Sequence, residues 1–203
     1  MNRTSLSFLV LIFVLIGFAS CQKEVSVDTT GGGGATSIVG AWKFVNMNVT
    51  SEAVVEESDG LLVAKAINLS EYVTKNNAGT ITFTDTKMAS TDLAYTISDT
   101  ISTKLYLNGL LVNELATPFD FNVPPTSGEN AYTRIGTDSL YFPNGGLNIG
   151  GTNPNEPAGA KFRFEGNKLI LTAKANSSQT TVDMGVTTTE KLAVVAIITL
   201  QKQ

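Results

Sequence analysis

The chain has no histidine and a single cysteine among its 203 residues. Without histidine there is no Ser-His-Asp or Cys-His catalytic set, and the commonest zinc sites are excluded. With Cys21 as the only thiol, no disulfide can form within the chain, so a fold in an oxidising compartment cannot rely on one. Charge is scarce too: Asp, Glu, Lys and Arg make up 16% of the residues and the net charge is −4. No basic cluster offsets that acidity, which argues against a nucleic-acid partner. The apolar run Phe8–Ile16 falls well short of the roughly 20 residues a membrane-crossing helix needs, and Gly17 interrupts it.

What is present is apolar content of 42% over a length that permits one domain with a sizeable core. Abundant Thr, Ser, Asn and Gly with little charge suit a β-rich exported protein. The N-terminus has the order of a secretory signal: a positive residue, Arg3, then the apolar run, then small residues before Cys21. Phe18-Ala19-Ser20-Cys21 resembles a bacterial lipobox, with Phe18 where Leu is usual. The resemblance implies a signal peptide over 1–20 and lipidation of Cys21, palmitate included. Each buried acyl methylene contributes about 0.8 kcal/mol, so several chains would hold the protein on a membrane. A plain signal peptide with a free Cys21 thiol is the alternative. Gln22 is not the Asp of an inner-membrane retention signal, and Cys21-Gln22-Lys23-Glu24 resembles the start of Bacteroidetes lipoproteins. That implies a lipid-anchored protein of the cell outer membrane, on either its periplasmic or its surface face.

Residues 21–37 read as a flexible tether. Gly31-Gly32-Gly33-Gly34 between threonines cannot bury apolar surface, and no Lys-Ser/Thr follows as in a phosphate loop. Fully extended, the tether would span up to about 50 Å, at roughly 3.3 Å per residue. The folded domain is expected over 38–203.

Within it, Trp42 and Phe44 alternate with smaller or polar neighbours, and Val45, Met47 and Val49 continue on the other parity. That switch near Asn46 predicts a bulge in a long first strand. A short helix is expected from about Gly60 to Val73, with a strand as the alternative for Leu61–Ile67. Period-two alternation then marks strands at Thr80–Thr84, Leu93–Ile97, Phe119–Val123, Ser139–Phe142 and Lys191–Leu200. Asn108-Gly109 and Gly166-Asn167 read as two-residue hairpin turns. Pro124-Pro125 is expected to stop a strand, with long loops at Pro124–Gly136 and Asn144–Gly159. In the last strand Leu192, Val194, Ala196, Ile198 and Leu200 share a face. About eight to ten strands joined by short hairpins predict an all-β, antiparallel, up-and-down arrangement.

Gly40-Ala41-Trp42, at the head of the first strand and just after a tether, resembles the Gly-X-Trp motif of lipocalins and of lipocalin-like Bacteroidetes lipoproteins. The resemblance implies an eight-stranded β-barrel closed at one end by Trp42, with Gly40 allowing close backbone approach. The final strand shows no obvious partner cation for Trp42; Lys202 is a candidate only by its place near the end of the sequence. A core tryptophan of a β-sandwich is the alternative reading.

Candidate chemistry is thin, and no catalytic set, cofactor or metal site is expected. Glu56, Glu57 and Asp59 are the densest acidic cluster but lack the spacing of a calcium loop, so a solvated turn is preferred. Asn144, Asn148, Asn153 and Asn155 fit turns better than a sugar site. Tyr95, Tyr106, Tyr132 and Tyr141 read as core or cross-strand residues before a cavity lining. Asp28-Thr29-Thr30, Asp99-Thr100-Ile101 and Asp138-Ser139-Leu140 resemble Bacteroidetes O-glycosylation sites, making Thr29, Thr100 and Ser139 candidates.

The leading expectation is a lipid-anchored protein that binds a small apolar ligand in its barrel. A structural or interaction lipoprotein, with a filled barrel facing an envelope protein or a glycan, is the second class; an enzyme is not expected. The mature mass from a bacterial envelope tests the first steps: it should start at Cys21 and exceed the polypeptide by acyl chains and by glycan. A mass equal to the lipidated polypeptide removes the glycosylation sites, and a free thiol at Cys21 removes the anchor.

Overall fold

The computed structural model describes residues 37–145 and 157–203. The expected signal peptide, Cys21, Thr29, most of the tether, and Asn148, Asn153 and Asn155 lie outside the described residues.

Every strand pair described is antiparallel, and all ten strands belong to one sheet. They are β1 (Gly40–Ser58), β2 (Val63–Val73), β3 (Lys75–Phe83), β4 (Lys87–Leu107), β5 (Leu110–Ala131), β6 (Thr133–Ile135), β7 (Ser139–Phe142), β8 (Ala158–Glu165), β9 (Lys168–Asp183) and β10 (Val186–Lys202). No helix occurs among the described residues.

The helix expected from Gly60 to Val73 is therefore corrected to the strand β2. It lies between β1 and β4, pairing with both. Ala64, Ala66, Asn68 and Ser70 alternate with Lys65, Ile67 and Leu69, but small and apolar residues on both faces blur the period. The stop expected at Pro124-Pro125 is also corrected. The two prolines fall in an irregularity between the pairs Val123↔Tyr95 and Thr126↔Leu93, and β5 runs on to Ala131. Pro118 lies on the same strand. Among the described residues β5 pairs with β4 alone, so its other edge makes no ladder and tolerates proline. The loop expected over Pro124–Gly136 is thus mostly strand.

Two pairs of strands are single courses of chain. β2 runs into β3 past Thr74, and both lie against β1. β5 runs into β6 past Tyr132; β5 pairs with β4 and β6 with β7. The bulge predicted near Asn46 appears as a register shift between Phe44 and Asn46.

The core gathers at the Gly40 end of β1. Trp42, Phe83, Leu140, Phe142, Leu169, Leu171 and Leu200 are all at most 1% exposed. Full burial of such side chains contributes about 1.5–3 kcal/mol each. Beyond this packed base six strands continue as a taller wall. β8 meets β9 only as far as Ala160↔Ala173, whereas β9 and β10 stay paired to Asp183↔Val186. Above Ala173, β9 pairs with β10 alone among the described residues.

Two glycines permit contacts that a side chain would block. Gly79 has φ +102°, and a Cβ there would stand 2.7 Å from the Asp92 backbone oxygen. Gly40 has φ +126°, and its Cβ would meet the Lys202 Nζ at 2.5 Å. Gly79→Ala should therefore cost more than Gly40→Ala, because backbone cannot yield as a lysine tip can. The expected losses are about 3 kcal/mol or more against about 1–2 kcal/mol, read from denaturation midpoints.

Candidate functional site

Trp42 is fully buried in the base. Its indole Nε1 donates to the Ile38 carbonyl at 2.7 Å, and Phe164 stacks on it with centroids 6.2 Å apart. Lys202, paired with Trp42 across β1 and β10, sets its ammonium 4.6 Å from the indole centroid. The same Nζ donates to the Val39 carbonyl at 3.0 Å. Gly40, Trp42 and the candidate cation Lys202 are thus brought together at the packed base.

Open surface on the core-bearing face lies higher, on the wall. Phe44 meets Tyr95 edge to face at 6.0 Å, and buried side chains continue beyond it to Val49 and Val194. Tyr72 and Tyr95 are half-buried there. The Ser70 hydroxyl donates to Asp99 Oδ2 at 3.1 Å, and the Thr103 hydroxyl donates to Asn68 Oδ1 at 2.7 Å. Asp99 pairs with Phe119 and Ile97 with Phe121, which places both phenylalanines on the face that carries Tyr95. Their rings stack 6.4 Å apart at 7°. Phe121 is 53% exposed. The result is a flat apolar platform beside a short row of hydrogen-bonding groups. Such a surface can hold an apolar or ring-shaped body and orient a polar end.

Burial pushes the Tyr72 phenol above the ordinary range, with the charge of Tyr95 and of Asp99 adding to it. Burial does the same to Tyr95. Both phenols therefore stay neutral donors far above neutral pH.

The other sequence candidates fall elsewhere. Glu56 and Lys65 approach to 3.9 Å on the opposite face of the wall, where they line an open hollow of about 420 Å³ with Val63, Ile67, Tyr106 and Gly109. Glu56 and Glu57 lie on β1, with Glu57 exposed, and the Asp59 carboxylate accepts from the Leu61 and Leu62 amides, so of the acidic cluster only Asp59 stands in the turn. Among the described residues no three His, Cys, Asp or Glu could hold a metal together. Tyr132 is buried against Phe83 and Phe142, and Tyr141 is exposed. Thr100 is exposed on β4; Ser139 is half-buried and its hydroxyl donates to Asp138 at 2.9 Å. Asn144 is exposed in a turn. Sequence reasoning singled out the tyrosines and missed the Phe119–Phe121 platform. The alternation of Phe119 to Val123 was visible, but the face it presents depends on the pairing with β4.

Alkaline titration checks this placement. Tyr72 and Tyr95 should ionise above the ordinary value of about 10, seen as late tyrosinate absorbance. Because their folded values are raised, their stabilising contribution is complete below about 10 and is lost as pH rises through the folded values. Tyr72→Phe should remove part of the late absorbance.

Comparison with models of protein families, with curated proteins and with solved structures finds no match for this chain.

Proposed function

We propose that this chain is a lipid-anchored envelope protein that binds a small, largely apolar ligand in a lipocalin-like barrel. The observation that carries the reading is the stacked, half-exposed Phe119–Phe121 platform, on the core-bearing face above a base the protein fills itself. Two phenylalanines there make a costly surface for water and a good one for an apolar body.

Strand order supports a barrel. Counting β2 with β3 and β5 with β6, the sheet has eight courses of chain. Following the pairings from β1 through β4, the β5–β6 course, β7, β8 and β9 to β10 leads back to β1. Neighbours in sequence are neighbours in space, as in an up-and-down barrel. The Lys202 cation over Trp42 supports the resemblance carried by Gly40-Ala41-Trp42. The polar row of Ser70, Asp99, Asn68 and Thr103 suits a ligand with a polar end.

The filled base favours the second reading, an interaction lipoprotein that works through its rims toward an envelope protein or a glycan. Native mass spectrometry on residues 37–203, purified from a bacterial envelope without detergent, separates the two. A co-purifying apolar mass, lost on denaturation and reduced about tenfold or more by Phe119→Ala with Phe121→Ala, supports the carrier. A clean apo mass in the parent overturns it in favour of the second reading.

A further inference from the structure

Three hairpins end level with one another at the top of the wall. Ser58 pairs with both Val63 and Thr187, which aligns the β1–β2 turn with the β9–β10 turn. The Asn108 amide donates to the Val63 carbonyl at 2.8 Å, which aligns the β4–β5 turn with them. The six strands they join span roughly 25 Å at about 4.8 Å each.

These turns carry aliphatic side chains where polar ones are usual. Leu61 is 93% exposed, Leu110 72% and Met184 98%. Leu62, Leu111, Val112, Val182 and Val186 are exposed beside them. Met184 is the most telling. The β4–β5 turn has Asn108 at φ 48° and Gly109 at φ 81°; the β9–β10 turn has Met184 at φ 46° and Gly185 at φ 84°. Asn accepts that left-handed conformation readily and Met does not. A methionine held there, touching nothing, is a local misfit that the folded domain alone does not explain.

We propose that this row of hairpin tips seats the domain on an uncharged lipid surface, by shallow insertion of Leu61, Leu110, Met184 and their aliphatic neighbours. Three observations favour lipid over protein. The row is narrow and made of separate fingers, whereas a stable protein interface needs about 800 Å² per partner. It presents Leu, Val and Met without the Trp and Arg that dominate protein hot spots. The backbone of the β1–β2 turn is satisfied from within, which eases its entry into an apolar medium. Asp59 Oδ1 accepts from Leu61 and Leu62 at 2.9 and 2.8 Å, and Asn108 Oδ1 accepts from Val63 at 2.8 Å. The neighbouring charges are mainly acidic, with Asp59, Asp183, Glu56, Glu57 and Glu114 against Lys65 and Lys104, so attraction to anionic lipid does not seat the row. Asp59 and Asp183 flank the tips and limit the depth.

The test is flotation of residues 37–203, which contain the whole core and omit Cys21, with vesicles of pure phosphatidylcholine. Binding that persists when salt is raised is expected. The pair Leu61→Ser and Met184→Asn should lower the partition about tenfold or more. Met184→Asn alone should raise thermal stability, because it suits the turn, while weakening binding. No binding by the parent domain overturns the proposal, as does binding that the pair leaves unchanged. Self-association in sedimentation that the pair abolishes, without vesicle binding, reassigns the row to a second copy of the chain.

Discussion

The contact on which the base depends is the Lys202 ammonium above the Trp42 indole. It joins the first strand to the last at the end where the core is densest. A cation on an aromatic face is worth about 0.5–1 kcal/mol when exposed and more when water is excluded. The geometry works because Gly40 has no side chain where the lysine tip passes. Trp42 also uses its only donor on the Ile38 carbonyl, so a fully buried indole leaves no polar atom unsatisfied. Around it Phe83, Phe142, Leu169 and Leu200 complete the base, each at most 1% exposed.

Because the base is full, any recognition by the core-bearing face is displaced upward, onto the wall. The wall changes character with height. Phe44 and Tyr95 meet low on it, burial continues to Val49 and Val194, the Phe119–Phe121 platform and the Ser70–Asp99 pair stand on β4 and its neighbours, and the rim carries aliphatic tips. Under the functions proposed here, a ligand that reaches the platform enters beside side chains that prefer lipid to water. Loading from a membrane and docking on it would then share one end of the molecule.

Much of the fold was legible because hairpin chemistry is local. Asn108-Gly109 and Gly166-Asn167 turn where their residues require it, and the parity switch at Asn46 reappears as a bulge. The final strand alternates cleanly because one face lies in the core and Ile197 on the other is exposed. What sequence hid was non-local. β2 looked helical because Ala64 and Ala66 do not mark a face, and its strand state comes from partners on both sides. Pro124 and Pro125 looked like a stop because nothing local shows that β5 has one neighbour. The platform needed the register with β4, and the lysine beside Trp42 needed the register of β10.

Among the described residues the two free edges of the wall differ in a way that bears on symmetry. β5 carries Pro118, Pro124 and Pro125, which blunt the lower part of its outer edge against pairing with another chain, while Leu110–Thr117 has no proline. Above Ala173, β9 has no proline and runs as Lys174-Ala175-Asn176-Ser177-Ser178-Gln179-Thr180-Thr181 to its turn. A molecule with two open edges can add copies end to end and grow into a fibre. One with a single open edge can pair only with the same edge of another copy, about a two-fold axis, and such a contact closes on itself. The prolines of β5 therefore confine any edge pairing on that side to Leu110–Thr117, the part of the strand nearest the rim.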